Sequence, residues 1–285
     1  MLGKLLKYEW RGLRMPFIIL LIVLASTTVL TCSVILTINP KYDETVTWFS
    51  TMALMLSIFL YYFGFIGCII GIVLVVAIRF YKTCYTDQGY LTHTLPVSTK
   101  QLLSAKILAA FVTELLMILA IVASVVIIIQ VTVHHVISFF PDYSYDEFTR
   151  MFMRELSYVF QDFKDELGIS FGLYIVYWII ILLVSMFSNI VTIFGCVSLG
   201  QLYAKHRVIG AILAYFAQLF IMRILSYFAS LPMYSRILTS DYNSDVTFFS
   251  LVSPTMTLTL ILTILMAVAM YFVNLHMMTK RLNLE

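Results

Sequence analysis

Gly168-Ile169-Ser170-Phe171-Gly172 fits the G-x-S-x-G pattern that sets a nucleophilic serine on a sharp turn. Such a serine needs a general base within about 3 Å. The candidate base, His276, follows much later in the chain. With both residues at the ends of membrane helices, as the apolar stretches below imply, Ser170 falls at the outer end of a fourth span. His276 falls at the inner end of a sixth, roughly 30 Å away, so the spacing argues against an intramembrane serine protease. His134 and His135 are adjacent, so on a helix they point about 100° apart and make poor joint ligands. No cysteine or acidic pair stands near them at ligand spacing, and no metal site is expected. The sequence contains no G-x-x-x-x-G-K-[ST], hence no P-loop to hold ATP phosphates. Cys32, Cys68, Cys84 and Cys196 form no CxxC and fall in apolar or cytoplasmic stretches, so no structural disulfide is expected. No residue is assigned a catalytic role, and the chain alone is not expected to be an enzyme.

The elements that carry these residues follow from composition. The chain has 285 residues, 61% of them apolar or aromatic and 12% charged. A soluble domain carries roughly twice that charge, so soluble enzymes, disordered tails and nucleic-acid binders are excluded. A bilayer core about 30 Å thick takes about 20 apolar residues in helix, because backbone amides in lipid must bond within their own segment. Six stretches qualify: 16–38, 48–78, 107–133, 171–199, 208–231 and 248–275. The predicted fold is an all-α polytopic membrane protein, with residues 16–285 forming a single six-helix transmembrane domain. Twelve Lys and Arg fall in the N-terminal, second, fourth and C-terminal connecting segments, against five in the others. That bias puts both termini in the cytoplasm. Acidic residues are distributed the opposite way, eleven outside and three inside. Residues 1–15 alternate Leu2, Leu5, Leu6 and Leu13 with Lys4, Lys7, Arg11 and Arg14 at helical spacing, which predicts an amphipathic interfacial helix ending in a turn at Pro16, the alternative being a basic flank that only sets topology.

Polar residues inside apolar spans are costly and usually face protein or water. Glu114 in the third span and Arg223 in the fifth are therefore candidates to border a translocation path, or else buried structural contacts. Ser185, Ser188, Asn189 and Thr192 follow one helix face, and Thr255, Thr259 and Thr263 another. They could line a wet cavity, or bond their own preceding carbonyls or glue helices together. Gly67 and Gly71 form a GxxxG, which predicts a close helix contact. Between the third and fourth spans, residues 134–170 form an extracellular insert. Within it Ser144 and Glu147 fit a capping box, and Phe148, Met151, Phe152, Val159, Phe160, Phe163 and Leu167 recur at about three and four. This predicts an amphipathic, mostly acidic helix, acting as an external lid, as a dock for a cationic peptide, or lying on lipid.

The cytoplasmic connection 79–106 carries the most information. Leu95-Pro96-Val97 interrupts helix, and Ser98-Thr99-Lys100-Gln101 fits a capping box that starts a short new helix bearing Leu102 and Leu103. Asp87-Gln88-Gly89-Tyr90-Leu91-Thr92-His93-Thr94-Leu95-Pro96-Val97-Ser98, followed by Gln101-Leu102-Leu103-Ser104-Ala105-Lys106, resembles the loop of bacterial ABC exporter permeases of the type 2 class. Leu5-Leu6-Lys7-Tyr8-Glu9-Trp10-Arg11 is similar to their amphipathic N-terminal helix. The resemblance implies a six-span membrane subunit in a bacterial cell membrane, paired with a second copy or a sister permease and with two ABC ATPase subunits. ATP and Mg would be bound by those partners, no cofactor by this chain, and no nucleic acid is involved. It assigns the ATPase contact to Asp87, Gly89, Tyr90, Leu91, Thr92, Leu95, Pro96, Val97, Ser98 and Gln101. It also implies a pair of short re-entrant helices within 226–254, and the long insert 134–170 departs from it. The exported substrate is open, the acidic insert favouring a cationic or antimicrobial peptide. Alternatives are a motor-independent channel or secondary carrier, or a membrane peptide sensor or immunity scaffold.

Overall fold

A computed structural model describes residues 2–38, 44–86, 88–89, 96–139, 145–167, 169–203, 206–239 and 248–280. Among these there are seven helices and no strand: α1 (Leu2–Thr37), α2 (Glu44–Tyr85), α3 (Thr99–Ile137), α4 (Tyr145–Leu167), α5 (Phe171–Gly200), α6 (Arg207–Thr239) and α7 (Phe248–Lys280). All but α4 are long and apolar enough to cross a membrane, and each of these six overlaps one of the six predicted stretches. The chain is a multi-pass membrane protein by that measure.

The helices run longer than the apolar stretches. At 1.5 Å per residue, the 42 residues of α2 and the 39 of α3 reach about 63 and 58 Å, well beyond the hydrocarbon thickness. The 79–106 connection is therefore mostly helix, with only residues 86–98 between α2 and α3. The short helix expected at Ser98 is instead the first turns of α3. From Thr99 to Ile137 no glycine or proline offers a break. Pro16 also differs from expectation. It lies inside a continuous α1 instead of ending an interfacial helix. Its ring leaves the Gly12 carbonyl without an intrahelical donor, a loss long apolar helices tolerate. Likewise α6 runs unbroken through Pro232 and α7 through Pro254, so the described parts of 226–254 form no re-entrant pair.

The chain divides into two compact units. The first comprises Gly3–Val76 with Leu108–Glu155, and the second Ala77–Ile107 with Leu156–Glu285. In the first, Phe17, Leu24, Cys68, Ile72, Met117 and Ile121 form an apolar core. Here α1 meets α2 through small residues: a Cβ on Gly71 would stand 2.8 Å from Leu20 Cδ2, and one on Gly64 3.0 Å from Thr27. The two glycines are a heptad apart, as are their partners, so one face of α2 lies along one face of α1. The expected GxxxG contact is thus made by Gly71 alone, because Gly67 has nothing within 4 Å of its Cβ position. A few side-chain bonds supplement this packing. The Tyr61 and Ser124 hydroxyls lie 2.7 Å apart, Thr31 donates to the Ser57 carbonyl at 3.3 Å, and His135 Nε2 sits 2.8 Å from the Ile38 carbonyl at the end of α1.

In the second unit α5 packs against α6 and α7, which also touch each other. Residues 190–198 of α5 are buried on every face. The helix ends in a tightened turn, in which Gln201, Leu202 and Tyr203 donate to the carbonyls three residues back. Immediately beyond, α5 and α6 cross almost backbone to backbone: a Cβ on Gly200 would lie 2.5 Å from the Ala211 nitrogen, and one on Gly210 2.9 Å from the Gly200 carbonyl. No side chain fits at either position. Farther back on α5, Gly195 makes room for Met270 of α7 in the same way.

Candidate functional site

The second unit holds a chain of buried polar groups where α2 ends. Tyr85, the last residue of α2, is fully buried and donates its hydroxyl proton to Ser198 Oγ on α5 at 2.8 Å. Ser198 donates in turn to Asn274 Oδ1 on α7 at 2.6 Å. The Asn274 amide nitrogen donates to the Met270 carbonyl of its own helix at 3.0 Å and to the Val191 carbonyl of α5 at 3.2 Å. Ser198 and Asn274 are fully buried as well. The Asn274 amide thus uses both its acceptor and its donor side, tying α7 to α5. Away from water each of these bonds fixes a register, since breaking one leaves a buried group unsatisfied.

Aromatic packing reinforces the same place. Phe80 of α2 stacks on Phe194 of α5 with centroids 4.0 Å apart and planes 8° from parallel, and meets Tyr85 edge-on at 6.0 Å. On the other flank of residues 86–98, α3 is buried through Leu102, Leu103, Ala105 and Lys106. Lys106 is only 4% exposed, and its Nζ donates to Thr83 Oγ1 of α2 at 2.6 Å. Both flanks of the connection are therefore seated in one unit and bonded to each other.

The expected motor-contact residues sit on this base. Asp87, Tyr90, Leu91, Thr92 and Leu95 lie outside the described residues. Gly89 is buried and helical, and its amide donates to the Thr86 carbonyl at 2.6 Å. Pro96, Ser98 and Gln101 are exposed, and Val97 is half-buried. Half of the predicted capping box is present: Ser98 Oγ accepts from the Gln101 amide at 3.4 Å while its carbonyl accepts from Leu102 at 3.1 Å. The corresponding pattern at Ser144 falls outside the described residues, but α4 begins at Tyr145 as it requires.

The path candidates are spread over both units. Glu114 is half-buried in α3 of the first unit, and Arg223 is exposed on α6 of the second. On α5, Ser188 and Thr192 are buried while Ser185 and Asn189 are half-buried. Thr259 and Thr263 donate to carbonyls of their own helix, Met256 at 2.9 Å and Thr259 at 2.8 Å, and Thr255 approaches Met233 Sδ at 4.0 Å. The Thr259 and Thr263 hydroxyls thus bond back to their own helix.

Ser170 is the N-cap of α5, with extended backbone and no side-chain cap bond. His276 borders a hollow of about 400 Å³ with Leu199 and Leu202, at the opposite end of that helix. Twenty-nine residues of rise separate Ser170 from Leu199, about 43 Å, so the two cannot form a dyad. All four cysteines are free, and among the described residues no three His, Cys, Asp or Glu cluster at metal-binding distance.

Sequence reasoning missed Tyr85, Ser198 and Asn274. A lone amide in the apolar run of α7 was the available signal, because such a group in lipid demands a partner. Nothing in the sequence marks Tyr85 or Ser198 as that partner. No protein-family model matches the chain, and neither the curated proteins nor the solved structures contain one similar to it.

Proposed function

We propose that the chain is the membrane subunit of an ATP-driven ABC exporter in a bacterial cell membrane. It works with a second permease copy and with separate ATPase subunits that bind ATP and Mg. The observation that carries this reading is the seating of both flanks of residues 86–98 in the unit that contains α5, α6 and α7. A segment meant only to join two spans needs no buried base. A segment that receives force from a motor does, because displacement passes only through packed elements with discrete arrangements. Tyr85 and Lys106 are the two positions at which such a push would enter the helices, and the motor's binding energy must differ between the two arrangements for anything to move. The exposed Pro96, Ser98 and Gln101 then offer the outer contact. The substrate class suggested by the acidic insert is a cationic peptide.

The test is chemical cross-linking from Gln101→Cys in native membranes. A P-loop ATPase in the adduct, lost on ATPase deletion together with transport, is the expected result. Transport at full rate by the isolated chain in vesicles without ATP overturns the proposal.

A further inference from the structure

The amphipathic helix α4 plays no part in the seating of residues 86–98. Taken at about 100° per residue, Phe148, Val159, Phe152, Leu156 and Phe160 fall within an arc of about 120°. Arg154 and Gln161 lie opposite. Much of this apolar stripe is uncovered by protein: Phe152 is 53% and Val159 59% exposed. Its C-terminal part is laid against the start of a span. Phe160 stacks on Phe171, the first residue of α5, with centroids 4.4 Å apart, and only residues 168–170 join the two helices. The stripe therefore runs on into the exposed apolar face of α5, where Leu173 and Val176 are themselves open.

We infer that α4 lies in the membrane interface, with the Phe148–Phe152–Val159 stripe among the lipid acyl chains and Arg154 and Gln161 toward water. Acyl chains are the surroundings of the adjoining α5 surface, and a continuous apolar stripe is covered by the same medium. Charge argues for a particular kind of lipid contact. Residues 145–167 hold three basic and six acidic side chains, a net of −3. Anionic headgroups would repel this helix, so apolar area holds it, and the covalent link to α5 supplies the high local concentration that free interfacial helices gain from charge. The inference rests on the membrane spans and not on the exporter assignment.

Site-directed nitroxide labelling of the full chain in phosphatidylcholine vesicles tests it. Cys68, Cys84 and Cys196 are buried and Cys32 is half-buried, so the unaltered protein sets the labelling background. Single cysteines are placed by Phe152→Cys, Val159→Cys, Arg154→Cys and Gln161→Cys, with Val176→Cys on α5 as the lipid reference. Oxygen, which partitions into lipid, should relax the labels at 152, 159 and 176 more than a water-soluble nickel chelate does. The order should reverse at 154 and 161, with no change in 0.5 M salt. Nickel dominance at 152 and 159 with oxygen dominance at 176 would mean a solvated lid, and weak relaxation by both agents there would mean a protein cover; either overturns the inference. Nickel dominance at 176 as well would remove the membrane reading beneath it. None of these outcomes bears on the ATPase contact.

Discussion

The two units hold their helices together by different means. In the first, Gly64 and Gly71 bring α2 onto α1, and the Thr27 and Thr28 hydroxyls are spent on their own helix, each donating to the Leu24 carbonyl at 2.9 and 2.7 Å. Among its polar contacts between helices are separate bonds such as Tyr61 with Ser124. In the second, Tyr85, Ser198 and Asn274 make one connected chain across α2, α5 and α7. Lipid is as apolar as leucine, so neither unit gains from moving apolar surface out of it. Close packing supplies attraction that survives small slides. A connected buried network does not survive them, because each slide strands several groups at once. The second unit is thus the one whose helix registers are tied to one another by a connected buried network.

The largest predicted effect is at the α5–α6 crossing. Gly200→Ala puts a methyl 2.5 Å from the backbone of Ala211, where no flexible side chain can yield. Overpacking of this kind costs about 1–3 kcal/mol or more. Thermal unfolding in detergent should show that loss, whereas Gly67→Ala, with open space, should be neutral or slightly stabilising. A silent Gly200→Ala would mean that the two helices are not held so closely.

Next in size is Asn274→Ala, which leaves the buried Ser198 hydroxyl without its acceptor and should cost about 1–3 kcal/mol. Tyr85→Phe removes the terminal donor only, at about 1 kcal/mol. A double-mutant cycle between Tyr85→Phe and Asn274→Ala sharpens the comparison. The network predicts coupling of at least about 0.5 kcal/mol, while strict additivity would reduce the second unit to separate bonds like those of the first.

The smallest effect is at Thr259→Val. Its hydroxyl serves only its own helix at 2.9 Å, so unfolding should shift by under about 0.5 kcal/mol. A transport phenotype there without a stability change would support a path-lining role for the α7 threonines.

How far the sequence could be read varies with the range of the interaction. The six spans, the start of α3 behind Ser98 and the start of α4 at Tyr145 were legible because they depend on composition and on residues a few positions apart. The expected turn at Pro16 and the separate helix at Ser98 failed for one reason: a long apolar helix retains enough internal bonds to absorb a proline or to continue past its cap. Gly67 and Gly71 looked equivalent in sequence, yet only Gly71 meets a neighbour, because which face of α2 meets α1 is a tertiary fact.

Local chemistry therefore determined where helices begin and how many are apolar enough to cross a bilayer, since each segment must satisfy its own backbone bonds in lipid. Which of the many hydroxyls and amides face one another was decided only by folding. Tyr85, Ser198 and Asn274 are far apart in the chain, and no periodicity within one helix encodes the angle at which it meets another.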